Sequence, residues 1–416
     1  MSEIIHRRDT CRLCQSRNLE LVFQLAPSPI GDAYVTADQR DVPQPLFPID
    51  LYLCRDCGLA QLLDVIAPEV LYGDYIYVTS SSLGLGDHFR AYAQEVCDAV
   101  EPPPGSLVVD IGSNDGTLLG HFEDLGMRVI GVEPAEHIAQ AATAAGRETV
   151  AGFFTPELAK HIRERHGRAA IVTANNVFAN VDDLEPMMRG IRELLAEEGV
   201  FVCESYYVAD VVRNMVFDFI YHEHISSFAV TPLHAFFQRM GMRLLDVTRV
   251  PTKGGSLRYT VGLANGPRQP SPRVAAMLEE EKKGGVCDPK TFRDFSKKID
   301  QLRRGMLAHL DDFKSRGMSI AGFGASITAT TLIYHFGIGG YLEYLIDDNP
   351  AKQGRFSPGL HLPVYPASAL YDRKPDIVVV LAWRYAEPFI HKHRNYLANG
   401  GQFLIPVPEV RIIKAL

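Results

Sequence analysis

At 416 residues the chain is too long for one ordinary core and implies two or three domains. A net charge of -8 and a pI near 6.0 argue against a surface built to neutralise a phosphate backbone. No apolar run approaches the roughly 20 residues needed to cross a bilayer, and the opening MSEIIHRRDT lacks the apolar core of an export signal, so the expectation is a cytoplasmic protein without nucleic-acid or membrane partners.

Residues 1–75 read as a small, loop-dominated module that needs a staple. Cys11-Arg-Leu-Cys14 and Cys54-Arg-Asp-Cys57-Gly58 supply it. Two CxxC pairs suit a tetrahedral ion, and zinc suits four thiolates because it is borderline-soft and redox-inert; a closed four-cysteine set leaves no coordination position for chemistry. A structural zinc site is predicted, with free thiols or an iron–sulfur or redox pair as alternatives. Cys97, Cys203 and Cys287 are scattered, and LVFQLAPSPIGDAYV fills the gap between the pairs as a β-rich, proline-bearing insertion.

Residues 76–265 alternate short β-rich runs with amphipathic helices, the pattern of a parallel sheet wound by helices. VVDIGSNDGTLLG ends its strand with Asp110 and bends at Gly112, Asn114 and Gly116, where a glycine backbone approaches a ligand closely. The third glycine of a pyrophosphate cradle is missing. Glu133 ends the next strand at a spacing suited to two ribose hydroxyls. Adenosine with a cationic sulfonium tail therefore fits better than a dinucleotide, and Asp110 suits its charge. Phe154 is placed to cover the adenine, and Asn175 and Asn176 to reach the adenine or methionine end.

FIYHEHISSF then concentrates Tyr221, His222, Glu223 and His224, which pair as alternate residues if the segment is extended. The spacing lacks the i, i+4 histidines of a helical zinc-protease motif. PTKGGSLRY sets a glycine pair beside Lys253 and Arg258, a combination suited to a sugar or diphosphate, or else a hairpin turn with solvated cations.

Residues 266–416 open on a long charged helix, with Phe292, Phe295, Ile299, Leu302, Met306, Leu310 and Phe313 at helical spacing, and continue as a second, smaller Rossmann-like α/β unit. Its Gly322-Phe323-Gly324 turn and Asp347 taken alone suggest an NAD-dependent dehydrogenase, but again a third glycine is absent.

The ordered run of paired CxxC, DIGSNDGTLL, NVFAN, FIYHEHISSF, PTKGGSLRY, GFGAS and LIDDNPAKQG resembles the sugar C-methyltransferases of deoxysugar biosynthesis over nearly the whole chain. The resemblance implies a class I S-adenosylmethionine methyltransferase domain between a zinc module and a C-terminal Rossmann-like domain. It also implies methyl transfer to a carbon beside the 4-keto group of a nucleoside-diphosphate sugar, with Tyr221, His222, Glu223 and His224 as catalytic residues and Tyr75 and Tyr77 near the sugar. Such chemistry needs a base and an oxyanion stabiliser together. His224 is the expected base, because an imidazole titrates near working pH, with Tyr221 or His222 donating to the enolate oxygen and Glu223 orienting an imidazole or holding a sugar hydroxyl. Three positions depart from the family: Asn180 stands where a histidine is usual, Lys253 where a histidine is common, and GASITATTL lacks a lysine, pointing to a different sugar, nucleotide or reacting atom. A monomer or weak homodimer is expected. A sugar-nucleotide dehydrogenase, a sugar O-methyltransferase and a non-catalytic sugar-nucleotide-binding protein are the alternatives.

Overall fold

The computed structural model describes residues 4–72, 79 and 84–414. At the N-terminus, β1 (Ile5–Arg7), β2 (Leu19–Phe23), β3 (Leu51–Cys54), β4 (Ala60–Leu62), β5 (Asp64–Ile66) and α1 (Pro68–Tyr72) form the cysteine module. The middle of the chain runs α2 (Leu85–Val100), β6 (Leu107–Ile111), α3 (Thr117–Asp124), β7 (Arg128–Glu133), α4 (Glu136–Ala144), β8 (Thr149–Ala151), α5 (Pro156–His166), β9 (Ala169–Asn175), α6 (Leu184–Leu194), β10 (Leu195–Tyr206), α7 (Val208–Arg213), β11 (Ser226–Ser227), α8 (Val230–Arg239), β12 (Met242–Val250) and β13 (Ser256–Leu263). After α9 (Pro272–Gly284) and α10 (Pro289–Ser315) come β14 (Ile320–Phe323), α11 (Ile327–Phe336), β15 (Leu345–Ile346), β16 (Val364–Tyr365), α12 (Ala369–Asp372), β17 (Ile377–Val380), α13 (Ala386–Lys392), α14 (Arg394–Ala398), β18 (Gln402–Ile405) and β19 (Arg411–Ile413).

The central sheet has the order β12-β13-β10-β9-β6-β7-β8, parallel except for β13, which is wedged antiparallel between β10 and β12. Its strands β6, β9 and β10 are apolar on both faces because helices cover both, as a parallel sheet requires. The C-terminal sheet has the order β16-β15-β14-β17-β18-β19 with only β19 antiparallel. Strand order reverses between β14 and β17, so the loops after these two strands flank the crevice where such folds place ligands.

The cysteine module is sewn into the middle domain. Its sheet runs β11-β4-β3-β2, so β11, two residues past His224, completes it, with Ser226 opposite Gln61 and Ser227 opposite Ala60. Arg12, 1% exposed, donates to the carbonyls of Leu62 and Ile225 and to Asp182, satisfying a charge that burial would otherwise make costly. In α10 the apolar stripe is buried at Phe292, Phe295, Ile299, Met306, Leu310 and Phe313, with Phe295 edge-on to Phe23 of the module at 5.5 Å.

The loop between β2 and β3 lies on the C-terminal domain. A Cβ on Gly31 would meet Ile327 Cγ2 at 2.6 Å, Thr330 donates to the Gly31 carbonyl (2.9 Å), and Lys352 bonds Asp32 (2.6 Å) and the Ala325 carbonyl (2.7 Å). This corrects the dehydrogenase alternative. The start of α11, where a dinucleotide's pyrophosphate would sit, is covered by the protein's own loop, and the oxygens of Asp347 accept from the backbone amides of Ala325 (2.6 Å) and Asn349 (2.8 Å).

Candidate active site

The ligand atoms of Cys11, Cys14, Cys54 and Cys57 lie within 4.8 Å of one another. The Cys11–Cys57 and Cys14–Cys54 sulfur separations are both 3.5 Å, near the ~3.8 Å edge of a tetrahedron built on ~2.3 Å zinc–sulfur bonds. The Cys57 hydrogen bond holds the Cys11 thiol down at about 5, whereas burial pushes Cys14 up to about 12 and the Cys11 contact pushes Cys57 up. Four sulfurs at these separations match the thiolate shell of a tetrahedral cation, so the donor set fits zinc. All four are far from the methyl-transfer chemistry in role: a closed thiolate set offers structure.

The donor pocket forms where β6, β7 and β9 end. Gly112 takes φ +71°, and a Cβ there would strike Val177 Cγ2 at 2.3 Å, so the loop needs glycine on both counts. Gly116 (φ +74°) starts α3, and Asn114, also left-handed at φ +50°, accepts the Thr79 amide at 2.8 Å. The Glu133 oxygens accept from the Asn114 and Ala135 amides, each at 2.9 Å, leaving about two of its four lone-pair sites for a ribose diol. Asp110 is buried and accepts the Thr173 hydroxyl at 2.6 Å; burial pushes its carboxyl up to about 7. Among the described residues Ser113 Oγ is buried without a hydrogen-bond partner, and Asn175 lies beside the Tyr92 hydroxyl. Hydrogen-bonding capacity of this kind, around a curled glycine loop, fits S-adenosylmethionine. Asn176 bonds the Glu204 carbonyl through its backbone (2.8 Å). Phe154 is packed towards α6, its ring 2.9 Å from where a Gly190 Cβ would stand, while Phe153 is 46% exposed.

The Tyr221–His224 segment is a turn, and this overturns the alternate pairing expected of an extended strand. The His224 amide bonds the Tyr221 carbonyl (2.9 Å), which brings the Tyr221 hydroxyl to His224 Nε2 at 2.8 Å. His224 Nδ1 faces the Phe219 carbonyl at 2.9 Å. A carbonyl only accepts, so Nδ1 carries the proton and Nε2 accepts from Tyr221. Burial, then the charge of Lys253, lowers the His224 pKa to about 3, so the ring is neutral at working pH instead of titrating there. His222 points elsewhere, donating to the Phe47 carbonyl of the module (3.2 Å), and burial lowers it to about 4.

Glu223 is 7% exposed, and burial together with Asp32 raises its carboxyl to about 7 against the opposing charge of Lys253. Lys253, at φ +54°, is lowered to about 8 by burial, with Glu204 and Glu223 opposing the shift. Asn180 lies beside Tyr72, whose hydroxyl is pushed up by burial and the Glu223 charge. Arg258 is 6% exposed, bonded to Glu95 (2.6 Å) and Glu204 (3.3 Å) and set over the Tyr92 ring at 4.1 Å, so carboxylates of the protein balance its charge. Tyr75 and Tyr77 lie outside the described residues. Sequence reasoning missed Asp32, Tyr72, Glu204, Asp218, Trp383 and Arg384, which join the site from distant segments.

The β13-wedged sheet with an acid-tipped glycine loop defines a class I S-adenosylmethionine-dependent methyltransferase. Family models match for a zinc binding domain (residues 11–72), a methyltransferase domain (residues 86–247) and a C-methyltransferase C-terminal domain (residues 251–408). The chain belongs to the C-methyltransferase family: C-methyltransferase NovU of Streptomyces niveus is 33% identical over 416 residues, which is 100% of this chain and 99% of that protein. Among solved structures, the magnesium protoporphyrin IX methyltransferase of Synechocystis PCC 6803 with bound SAH is 14% identical, covering 43% of this chain and 83% of its own, with a TM-score of 0.34. The glycopeptide N-methyltransferase MtfA complexed with S-adenosylmethionine is 13% identical over 42% of this chain and 93% of its own, with a TM-score of 0.33. No helix among the described residues is long and apolar enough to cross a membrane.

Proposed function

We propose that this C-methyltransferase acts in the cytoplasm on a carbon beside the ketone of a nucleoside-diphosphate-linked 4-keto-deoxysugar. The observation that carries this reading is the Tyr221–His224 pair, locked at 2.8 Å with Nδ1 anchored, in one buried centre with Lys253 and Glu223. Methylation of a hydroxyl needs a base for the O–H alone, whereas methylation of carbon passes through an enolate and needs a base and a holder for the oxyanion together. Here the Tyr221 hydroxyl faces the substrate, and as it takes the proton from carbon its own proton passes to His224 Nε2. The imidazolium forms only as the enolate forms, so the burial and the cationic neighbours that depress His224 in the free enzyme are offset by the new negative charge. Lys253 holds that charge at the enolate oxygen. Glu223 and Asn180 hold sugar hydroxyls. S-adenosylmethionine, when bound by Asp110, Glu133 and the 112–116 loop, supplies an already activated methyl group.

The test is incubation with a panel of nucleotide-linked 4-keto sugars and labelled donor. A carbon-bound methyl in the product, together with solvent deuterium exchange at the carbon beside the ketone without donor, is expected; an oxygen-bound methyl with no exchange would sink the reading.

Donor binding should also carry a proton signature. Because the Asp110 carboxyl is raised to about 7, most of it is protonated near pH 6, and a cationic ligand favours the carboxylate, so binding expels a proton. The calorimetric heat of donor binding at about pH 6 should therefore vary with the ionisation enthalpy of the buffer, and the dependence should fade above about pH 8. Asp110→Asn should show no dependence at either pH; equal buffer dependence in the variant would remove Asp110 from this role.

A further inference from the structure

We infer that Trp383 and Arg384 of the C-terminal domain are positioning residues for the reaction, clamping the turn whose carbonyl fixes the tautomer of His224. Both come from the loop after β17, on the crevice where the C-terminal sheet reverses its strand order. The clamped element is the 3-10 turn Phe217–Phe219, which leads into the Tyr221–His224 turn. Asp218 is 0% exposed, and its Oδ2 accepts the Trp383 indole N–H at 2.9 Å, while Oδ1 lies 3.8 Å from an Arg384 guanidinium nitrogen. That guanidinium sits 4.1 Å over the Phe219 ring. On the other side Phe217 stacks flat on Phe336 of α11 at 5.1 Å. Three consecutive residues of the middle domain are thus held by the C-terminal domain, each by a different interaction.

The consequence falls on the imidazole. The Phe219 carbonyl holds the His224 Nδ1 proton, and the ring packs against Tyr206 at 4.7 Å and Tyr221 at 4.0 Å. Which nitrogen of a neutral imidazole carries the proton is set by the bond the other one makes. Were the Phe219 carbonyl to swing away, the competing tautomer would turn a donor towards Tyr221 and have no lone pair there to receive a proton. Adhesion between domains does not require this arrangement, since a fully buried carboxylate is costly and an apolar contact of similar size serves as well. A fixed carbonyl does require it.

The proposal rests on the reading of His224 as proton acceptor, so its test pairs a kinetic readout with one that needs no substrate. Trp383→Phe keeps the ring and removes only the N–H; Arg384→Met removes the charge from the other side and serves if the first variant does not fold. Either should lower kcat by roughly 10- to 100-fold, a part of the ~10²–10⁴ that a positioned acid–base group contributes, with the KM for the sugar and the Kd for the donor within about twofold. Arg384→Lys should recover part of the loss. In nitrogen-15 spectra of histidine-labelled protein, the His224 resonances, assigned by their loss in His224→Gln, should show a single Nδ1–H tautomer in the unaltered enzyme and a mixture in the variants. A mixture in the variants of an enzyme inactive on every keto sugar would uphold the clamp and sink the proposed substrate. An unchanged tautomer, or a kcat within twofold of the unaltered enzyme, would overturn the clamp. Trp383 is the only tryptophan, so its emission in Asp218→Asn reports whether the domains remain docked.

Discussion

Exchange of His224 for alanine should lower kcat by about 10²- to 10⁴-fold, the range a positioned general base contributes. The donor should bind as before, because the hydrogen bonds of His224 go to Tyr221 and to the Phe219 carbonyl. Tyr221→Phe should produce a loss of similar size, since the hydroxyl and Nε2 share one hydrogen bond of 2.8 Å and act as a unit. The double variant should then be scarcely slower than either single one. Multiplicative losses in the double variant would show that the two side chains act independently and would dissolve the proposed relay. The exchange of the substrate proton with solvent deuterium should fall in parallel with kcat, because proton removal precedes any contribution of the methyl group.

Removal of zinc should have the largest effect on stability. Apparent folding energies of structural zinc sites are about 10–16 kcal/mol near neutral pH, comparable to the ~5–15 kcal/mol of an entire domain. Cys54→Ser or a strong chelator should therefore unfold the N-terminal module. Activity should go with it, although the metal takes no part in the chemistry, because β11 and the Arg12–Ile225 contact hang the catalytic turn on that module. Elemental analysis should find one zinc per chain, and the chelated protein should lose a cooperative transition in a thermal scan. A chain free of zinc that melts and turns over normally would contradict this account.

The parts of the molecule that could be read from the residues are those decided locally. Cys11 and Cys14, or Cys54 and Cys57, declare their joint purpose within four residues of one another. The glycine loop does the same: Gly112 and Gly116 need φ values that other residues resist, and Asp110 and Glu133 end adjacent strands. The YHEH segment is legible as a cluster, but its shape is not. Alternation along a strand predicts Tyr221 beside Glu223; the turn instead pairs Tyr221 with His224, because β11 begins so soon afterwards that the chain must reverse to reach the module's sheet. Arg258 had the right charge for a phosphate and a glycine pair nearby, but nothing in its own neighbourhood announces that Glu204 and Glu95 await it across the sheet and on α2. Asp32 and Arg384 illustrate the limit most sharply. Neither belongs to a motif, and their effects on Glu223 and Lys253 arise only because the two ends of the chain converge on the middle.

The bond between Lys352 and Asp32 spans 320 residues of sequence. On a ribosome, the first module and the sheet after it emerge while the segment that must cover them is still being made. Until β14 and α11 exist, the proline-bearing loop has no surface to lie on, and until the stretch around Trp383 is released the catalytic turn has no backing. Metal binding and completion of the turn thus fall at different stages of synthesis: all four cysteines are present once Cys57 has emerged, whereas the partner of Asp218 is absent until Trp383 follows.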